Sequence, residues 1–419
     1  MSTLALFGGR PVRTRPFTSW PLGGETEAAA LRGVLASNHW GGIRAGSQAE
    51  AFEAELAHYL AIPHAATVAN GTAGLIIALR ALGIGPGDEV IVPAMTYIAT
   101  ATAATLVGAI PVFADIDPHT YTLDPASLHA ALSPKTKAII VVHLGGHPAD
   151  MDQINQVATA SAVPVIEDCA QSLGAAWRDT RTGALATIGV FSFANTKNIS
   201  CGEGGAVVTA DAALANRIAA LRDHGRPPGI TDHHPRLGWN LRLSEFQAAI
   251  LRPQLARLDR HLAAKQRAST HLARSLGSIP GLQPVPQKLD PRVTTHGYFS
   301  LALDFDADRF GAKIDALRAA LRAEGIPVGA RPIRACPDEP IYADEATSDH
   351  SPSRTVSCAN ARAACARVIL LGQATGSGLL LDDPDDLDDV TRAVTKIYDN
   401  RRDLHAWHPA RTTAPSTSH

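Results

Sequence analysis

Residues 163–175 read VPVIEDCAQSLGA. The run is apolar through Ile166 and turns acidic at Glu167 and Asp168. A short, almost wholly apolar run bounded by turn formers reads as a strand buried on both faces, which is how strands of parallel sheets look. In such sheets ligands bind beyond the carboxyl ends of the strands. An acid at that end therefore has two readings: a helix cap or solvated loop acid, or a carboxylate aimed into the ligand crevice.

Working outward, the same pattern recurs. AATVAN precedes GTAGLIIALRALG, EVIVPA precedes TYIATATAATLVG, IPVFADI precedes DPASLHAALS, and KAIIVVHL precedes DMDQINQVATASA. Alternation of apolar strands with helical stretches gives a doubly wound α/β layer. Beyond it, residues 243–276 read as a long helical region, bent or broken near Pro253. A smaller α/β part follows, with the strand YFSLALDF and the helices AKIDALRAALRAEG and DDLDDVTRAVTKIYDN. The expected organisation is a large α/β unit over 15–250, the long helix and a smaller α/β unit over 251–400, and a disordered tail over 408–419.

The bulk numbers exclude several classes. At 419 residues the chain exceeds what one core usually supports. It is 45% hydrophobic and 19% charged with net charge −2, so neither nucleic acid nor a membrane surface is an expected partner. No apolar run reaches bilayer length, and the first residues lack a signal-peptide stretch. Five scattered cysteines without a CxxC pair argue against a disulfide framework and a zinc site; no metal is expected, and reduced thiols in the cytoplasm are.

Four features carry chemistry. Asp168 ends its strand, with Gln171 three residues on. Asn70-Gly71-Thr72-Ala73 opens a helix after a strand, a place where backbone N–H groups and the helix dipole favour an anion. Tyr97 falls just past a strand end, as a core aromatic or as a ring for stacking. Lys197 sits between an apolar run and a glycine-rich turn in FSFANTKNISCGEGGAVV, residues 191–208. One cofactor uses all four. Pyridoxal 5'-phosphate needs an amine for its aldehyde, an acid for its pyridine nitrogen, an anion cradle and a flat lid. The amine also moves the proton, and burial lowers its pKa toward that task.

The motifs NGTAGL, VPAMTYIAT, VHLGGHPADMD, VIEDCAQSLGA, FSFANTKNISCGEGGAVVT and GWNLRLSEFQAA occur in this order. In them the chain resembles the DegT/DnrJ/EryC1/StrS family of sugar and cyclitol aminotransferases, from about residue 15 to 400. The resemblance implies fold type I, a large, mostly parallel sheet domain with a smaller C-terminal α/β domain. It implies Lys197 as the covalent amine, Asp168 on the pyridinium nitrogen and Gln171 on the ring hydroxyl. Gly71, Thr72 and Ala73, helped by Ser192, would hold the phosphate, and Tyr97 would stack on the ring. Asn240 would reach the phosphate of the neighbouring subunit in a homodimer with shared active sites.

Two departures stand out. Ala194-Asn195 replaces a bulky residue and proline before the lysine, and Gly145 stands where the family carries tyrosine. The retained lysine favours transamination. The expected activity is transfer of an amino group from glutamate or glutamine to a keto cyclitol or keto sugar, in aminoglycoside or deoxyaminosugar biosynthesis. A lyase, aldolase or cyclase on the same scaffold is the alternative. Arg226, Arg242, Arg331 and Arg334 are the candidates to hold a diphosphate if the acceptor is nucleotide-linked. The missing tyrosine and the acidic segment CPDEPIYADEATSD tilt the expectation toward a small uncharged acceptor.

Overall fold

The computed structural model describes residues 3–42, 44–230, 232–329, 333–344, 346, 351–372 and 376–407. Eight strands form the main sheet in the order His64–Val68, Gly205–Thr209, Ile188–Ser192, Val165–Asp168, Thr136–Val142, Glu89–Pro93, Ile110–Ala114 and Arg354–Thr355. Gly205–Thr209 runs antiparallel to both its neighbours; the other pairings are parallel. Glu89–Pro93 and Val165–Asp168 are buried along their whole length, as their apolar composition requires when helices cover both faces. On one face, Val90, Val92, Ile140 and Ile166 pack with Leu75, Leu79 and Ala104 from the helices Gly71–Ala81 and Ala99–Leu106. On the other, Ile91, Ile139 and Val141 pack with Leu128, Met151 and Ile154. The alternation of faces along each strand produces both layers.

A second sheet joins Leu282–Val285, Ser300–Phe305 and Val368–Gly372, all antiparallel. Leu317, Leu321, Val390 and Val394, from the helices Ile314–Ala323 and Pro384–Asp399, pack in its core with Leu301 and Leu303. Leu4 and Phe17, from the start of the chain, belong to this core too.

The helical region over 243–276 breaks at a different place from the one its proline suggests. The helix Glu245–Ala256 runs through Pro253, and the break comes at Arg257 (φ −105°, ψ 2°), before Leu258–Leu276. Arg257 is held there by an ion pair to Glu27 at 2.6 Å and a bond to the Leu22 carbonyl at 2.7 Å. The tail over 408–419 and Arg331 lie outside the described residues.

Candidate active site

The carboxyl ends of the parallel strands open into a cavity of about 980 Å³. Asp168 lies on its wall, buried, at the end of Val165–Asp168. Its Oδ2 accepts from Thr100 Oγ1 at 2.8 Å and its Oδ1 from the Ala170 N–H at 3.1 Å. Burial pushes this carboxyl up. The two hydrogen bonds, then Lys197 and His143, oppose that push.

Glu167 is one residue away and so faces the other side of the sheet. It is fully buried and saturated: His143 Nε2 bonds to it at 3.0 Å, and the N–H groups of Gly183 and Leu185 donate to it at 2.8 Å each. His143 Nδ1 accepts from the Ala149 N–H at 3.0 Å, so the proton sits on Nε2 and points at Glu167. Cys169 completes a cluster whose ligand atoms lie within 4.8 Å of one another. The donors just named engage the histidine and the carboxylate, and the network braces the strand end that carries Asp168.

Lys197 reaches the cavity from the turn after Ile188–Ser192, where its N–H donates to the Ala194 carbonyl at 2.9 Å. Its Nζ stands 4.9 Å from the centre of the Phe299 ring. Burial holds its pKa below the usual lysine value, with Asp168 pulling the other way. Across the cavity, Asn70 caps the helix Gly71–Ala81, and its Oδ1 accepts from the Ala73 N–H at 2.8 Å. The donors left to this helix end for an anion are those of Gly71 and Thr72. Gly71 is there for a steric reason, because a Cβ on it would lie 2.9 Å from Ser192 Cβ. The cradle and Ser192 thus close on one another.

Tyr97 is 70% exposed and lines the cavity, so it is a wall residue and not a core aromatic. Gln171 also lines it, with Oε1 accepting from the Gly145 N–H at 2.7 Å. Gly145 adopts φ +66°, in the left-handed region. Asn240 is exposed and stands apart from the cavity lining of its own chain, although its neighbours Trp239 and Leu241 belong to it. Gly71, Thr72, Ala73, Tyr97, Asp168, Gln171, Ser192 and Lys197 are brought together; Asn240 is not.

The family model for the DegT/DnrJ/EryC1/StrS aminotransferases matches residues 21–394. The chain belongs to this family. Among its relatives, an L-glutamine:2-deoxy-scyllo-inosose aminotransferase of Streptomyces kanamyceticus is 37% identical, over 97% of this chain and 99% of that one. Its counterpart from Streptomyces lividus is 42% identical, over 72% of this chain and 74% of that one. Of solved structures, 3-amino-5-hydroxybenzoic acid synthase superposes with a TM-score of 0.83 at 33% identity, covering 93% of this chain and 100% of that one. DesI, crystallised in the presence of its TDP-sugar product, reaches 0.83 at 29% identity, covering 96% and 98%. The chain is accordingly a pyridoxal-phosphate-dependent aminotransferase of fold type I.

The residues present fit that cofactor. A buried carboxyl whose pKa is raised by burial suits a cationic ring nitrogen, an amine of lowered pKa faces the same cavity, and a helix N-terminus pressed against Ser192 presents N–H donors. Thr100, His147, His296 and Phe299 also line the cavity, and sequence reasoning did not single them out. Thr100 and His147 lie inside motifs that were recognised, at positions whose side-chain direction only the fold reveals.

Among the described residues, no helix is long and apolar enough to cross a membrane.

Proposed function

We propose that this aminotransferase takes its amino group from glutamine and delivers it to a small, uncharged keto cyclitol, in a step of aminoglycoside biosynthesis. The observation that carries the reading is the charge of the cavity wall. Among the described residues it holds one lysine, Lys197, two acids, Asp168 and Glu203, and no arginine. A diphosphate is recognised by guanidinium and ammonium groups. Arg226 and Arg242 are both tied to Asp223, the former at 2.6 Å, and Arg334 is exposed away from the lining. The end-to-end similarity to aminotransferases named for L-glutamine and 2-deoxy-scyllo-inosose points the same way.

Each residue has a task in this reading. Pyridoxal phosphate, when bound, supplies the electron sink for moving an amino group. Asp168 holds the proton on the ring nitrogen, and Thr100 and the Ala170 N–H keep that carboxyl ionised. Lys197 is the amine that would hold the cofactor's aldehyde and would serve as the proton carrier beside it. Gly71 and Thr72 bind the phosphate through their N–H groups, with Ala73 and Ser192 shaping the cradle. Tyr97 would stack on the cofactor ring, and Gln171 would contact its hydroxyl. Asn240, with its exposed neighbours Trp239 and Leu237, faces a second copy of the chain in a homodimer with shared sites. The units expected over 15–250 and 251–400 both reach the cleft, with two exchanges across that boundary: Phe17 packs in the core of the smaller sheet, and Arg354–Thr355 pairs in the main sheet. Five cysteines without a disulfide suit a cytoplasmic setting.

The test is turnover by the purified holoenzyme with glutamine and either 2-deoxy-scyllo-inosose or a nucleotide-linked keto sugar. The reading requires turnover of the cyclitol and little competition from uridine or thymidine diphosphate. Strong diphosphate inhibition relieved by acceptor would overturn it and bring Arg226 and Arg331 forward as anion ligands.

A further inference from the structure

Between the strands Ile188–Ser192 and Gly205–Thr209 the chain forms neither helix nor strand, and Lys197 sits in that stretch. A long side chain on an irregular turn is aimed well only if other groups hold the turn. Two buried amides do so. Gln254, from the helix Glu245–Ala256, grips Ser200: its Oε1 accepts from the Ser200 N–H at 2.9 Å, and its Nε2 donates to the Ser200 carbonyl at 2.7 Å. Asn198 is 2% exposed and holds the end next to Lys197. Its Nδ2 donates to the Leu173 carbonyl at 3.1 Å and to the Gly297 carbonyl at 2.9 Å. A carbonyl only accepts, so these bonds use both hydrogens of the amide. The amide oxygen then faces Lys265, whose Nζ donates to it at 3.0 Å.

Each of the two carbonyls belongs to a segment of the cavity wall. Leu173 lies two residues past Gln171, on the stretch that starts at Asp168. Gly297 lies between His296 and Phe299. That segment is pinned in its turn: the His296 ring stacks on His147 with centroids 5.4 Å apart, and the Gly297 N–H donates to the Gly146 carbonyl at 2.7 Å. Phe299 supplies the ring that stands 4.9 Å from Lys197 Nζ. Asn198 thus joins three segments, distant in the chain, that bear the amine, the acid and the ring beside the amine. Asparagine satisfies all three of its partners. Leucine would orphan two buried carbonyls, and an ionised aspartate would set a charge against them. Lys265 is itself buried in the helix Leu258–Leu276, with its Nζ 5.3 Å from the centre of the Trp20 ring, so the amide is oriented by a packed side chain.

We propose that Asn198, oriented by Lys265, is a positioning residue for the reaction: it fixes the Lys197 amine relative to Asp168 and so governs the proton transfer that this amine carries. The inference rests on the reading of Lys197 given above. Asn198 and Lys265 both lie off the cavity lining, so they act through Lys197 and not on substrate. A displacement of about 1 Å at a reacting group costs up to about 100-fold in rate.

The experiment compares the wild-type holoenzyme with Asn198→Asp, which keeps the shape and loses both carbonyl bonds, and with Lys265→Met, which loses the bond to the amide oxygen. Lys265→Gln puts an N–H donor back. The rate of the glutamine-driven change in cofactor absorbance, recorded without acceptor and counted per bound cofactor, should fall about 10- to 100-fold in Asn198→Asp and about threefold or more in Lys265→Met. Lys265→Gln should recover part of the loss. Deuterium at the α-carbon of glutamine should slow each variant at least as strongly as wild type, because proton transfer is the step that has become slow. Loss of cofactor with the remaining sites reacting at the wild-type rate overturns the inference, since that marks a structural role. A slow variant with an isotope effect smaller than that of wild type overturns it too, because another step then limits. Where Asn198→Asp does not fold, Lys265→Met decides by the same criteria. Wild-type reaction with glutamate alone overturns the donor of the proposed function, and the same criteria then apply with deuterated glutamate. A borohydride label on a lysine other than Lys197 overturns this inference together with the role given to Lys197 above.

Discussion

Thr100 Oγ1 donates a hydrogen bond of 2.8 Å to Asp168 Oδ2, joining two residues 68 apart in the chain. The same hydroxyl lies 3.0 Å from Thr96 Oγ1, so a short relay leads from Thr96, ahead of the helix Ala99–Leu106, through its first turn to the acid at the end of Val165–Asp168. Burial raises the Asp168 pKa, and this bond is one of the forces holding it back. Thr100→Val keeps the shape and removes the bond. A hydrogen bond to a charged group is worth about 1.5–3 kcal/mol, so kcat should fall roughly 10- to 100-fold. The carboxyl must be ionised to hold the ring proton, and its pKa should rise further in the variant. The acid limb of the pH–rate profile should therefore move to higher pH, and Thr100→Ser should restore it. An unshifted profile would remove Thr100 from the mechanism. Asp168→Asn, by the same argument, should retain cofactor and lose activity by orders of magnitude.

Two buried or half-buried lysines compete for the covalent role. Lys197 lines the cavity, whereas Lys265 is 1% exposed within the helix Leu258–Leu276. Borohydride reduction of the holoenzyme followed by peptide mapping should label Lys197. Lys197→Ala should abolish turnover, because in the proposed function its amine would both anchor the aldehyde and carry the proton. A label on Lys265 would reverse the assignment.

How much of this was legible in the sequence depended on the range of the interaction. Asp168 was readable because the switch from Ile166 to acid marks a strand end, and parallel strands aim their ends at the ligand. Asn70 was readable because a cap acts on the N–H three residues on, a wholly local event. The break at Arg257 was not, because Pro253 is the stronger local signal while Arg257 is held by Glu27 and Leu22 from the far end of the chain. His147 and His296 were not legible as a pair either. Their meeting depends on Gly146 and Gly297 touching within one patch of the cavity wall, and nothing in either segment alone records that contact.

Gly71 offers a test of the cradle. Gly71→Ala would place its Cβ 2.9 Å from Ser192 Cβ, so the helix end must move away from the strand. Overpacking of this kind costs about 1–3 kcal/mol, and cofactor affinity measured by dialysis should weaken about tenfold or more. Gly33→Ala is the control, since a Cβ there meets nothing within 4 Å and the site is inside the helix Glu25–Ser37. It should leave cofactor binding intact and raise the melting temperature. Equal affinity in both variants would dissociate Gly71 from the phosphate.

Asn240 is exposed and lies off the lining of its own chain's cavity, whereas Lys197 is on that lining. If Asn240 serves the partner's phosphate, Lys197→Ala and Asn240→Ala homodimers should both be impaired. Mixed and reassociated, they should regain activity, because one site per heterodimer then has Lys197 from one chain and Asn240 from the other. Absence of recovery, with subunit exchange demonstrated by mass, would confine Asn240 to its own subunit.

Lys265 gives a prediction about stability and pH. Its Nζ donates to Asn198 Oδ1 at 3.0 Å, and Asn198 Nδ2 bonds in turn to the carbonyls of Leu173 and Gly297. Burial pushes the lysine down to about 7 in the folded protein, against about 10.4 in an unfolded chain. Between those values the unfolded chain binds a proton that the folded one does not, so stability must rise with pH across that window. Below about 7 both states are protonated and the penalty is present in full. Lys265→Met removes the titration. The gap in melting temperature between wild type and Lys265→Met should therefore shift in favour of wild type as pH goes from 7 to 9.5, and stay level from 5.5 to 6.5. The comparison cancels every other titrating group common to both proteins. A gap that does not change from pH 7 to 9.5 would mean that Lys265 keeps an ordinary pKa despite its burial.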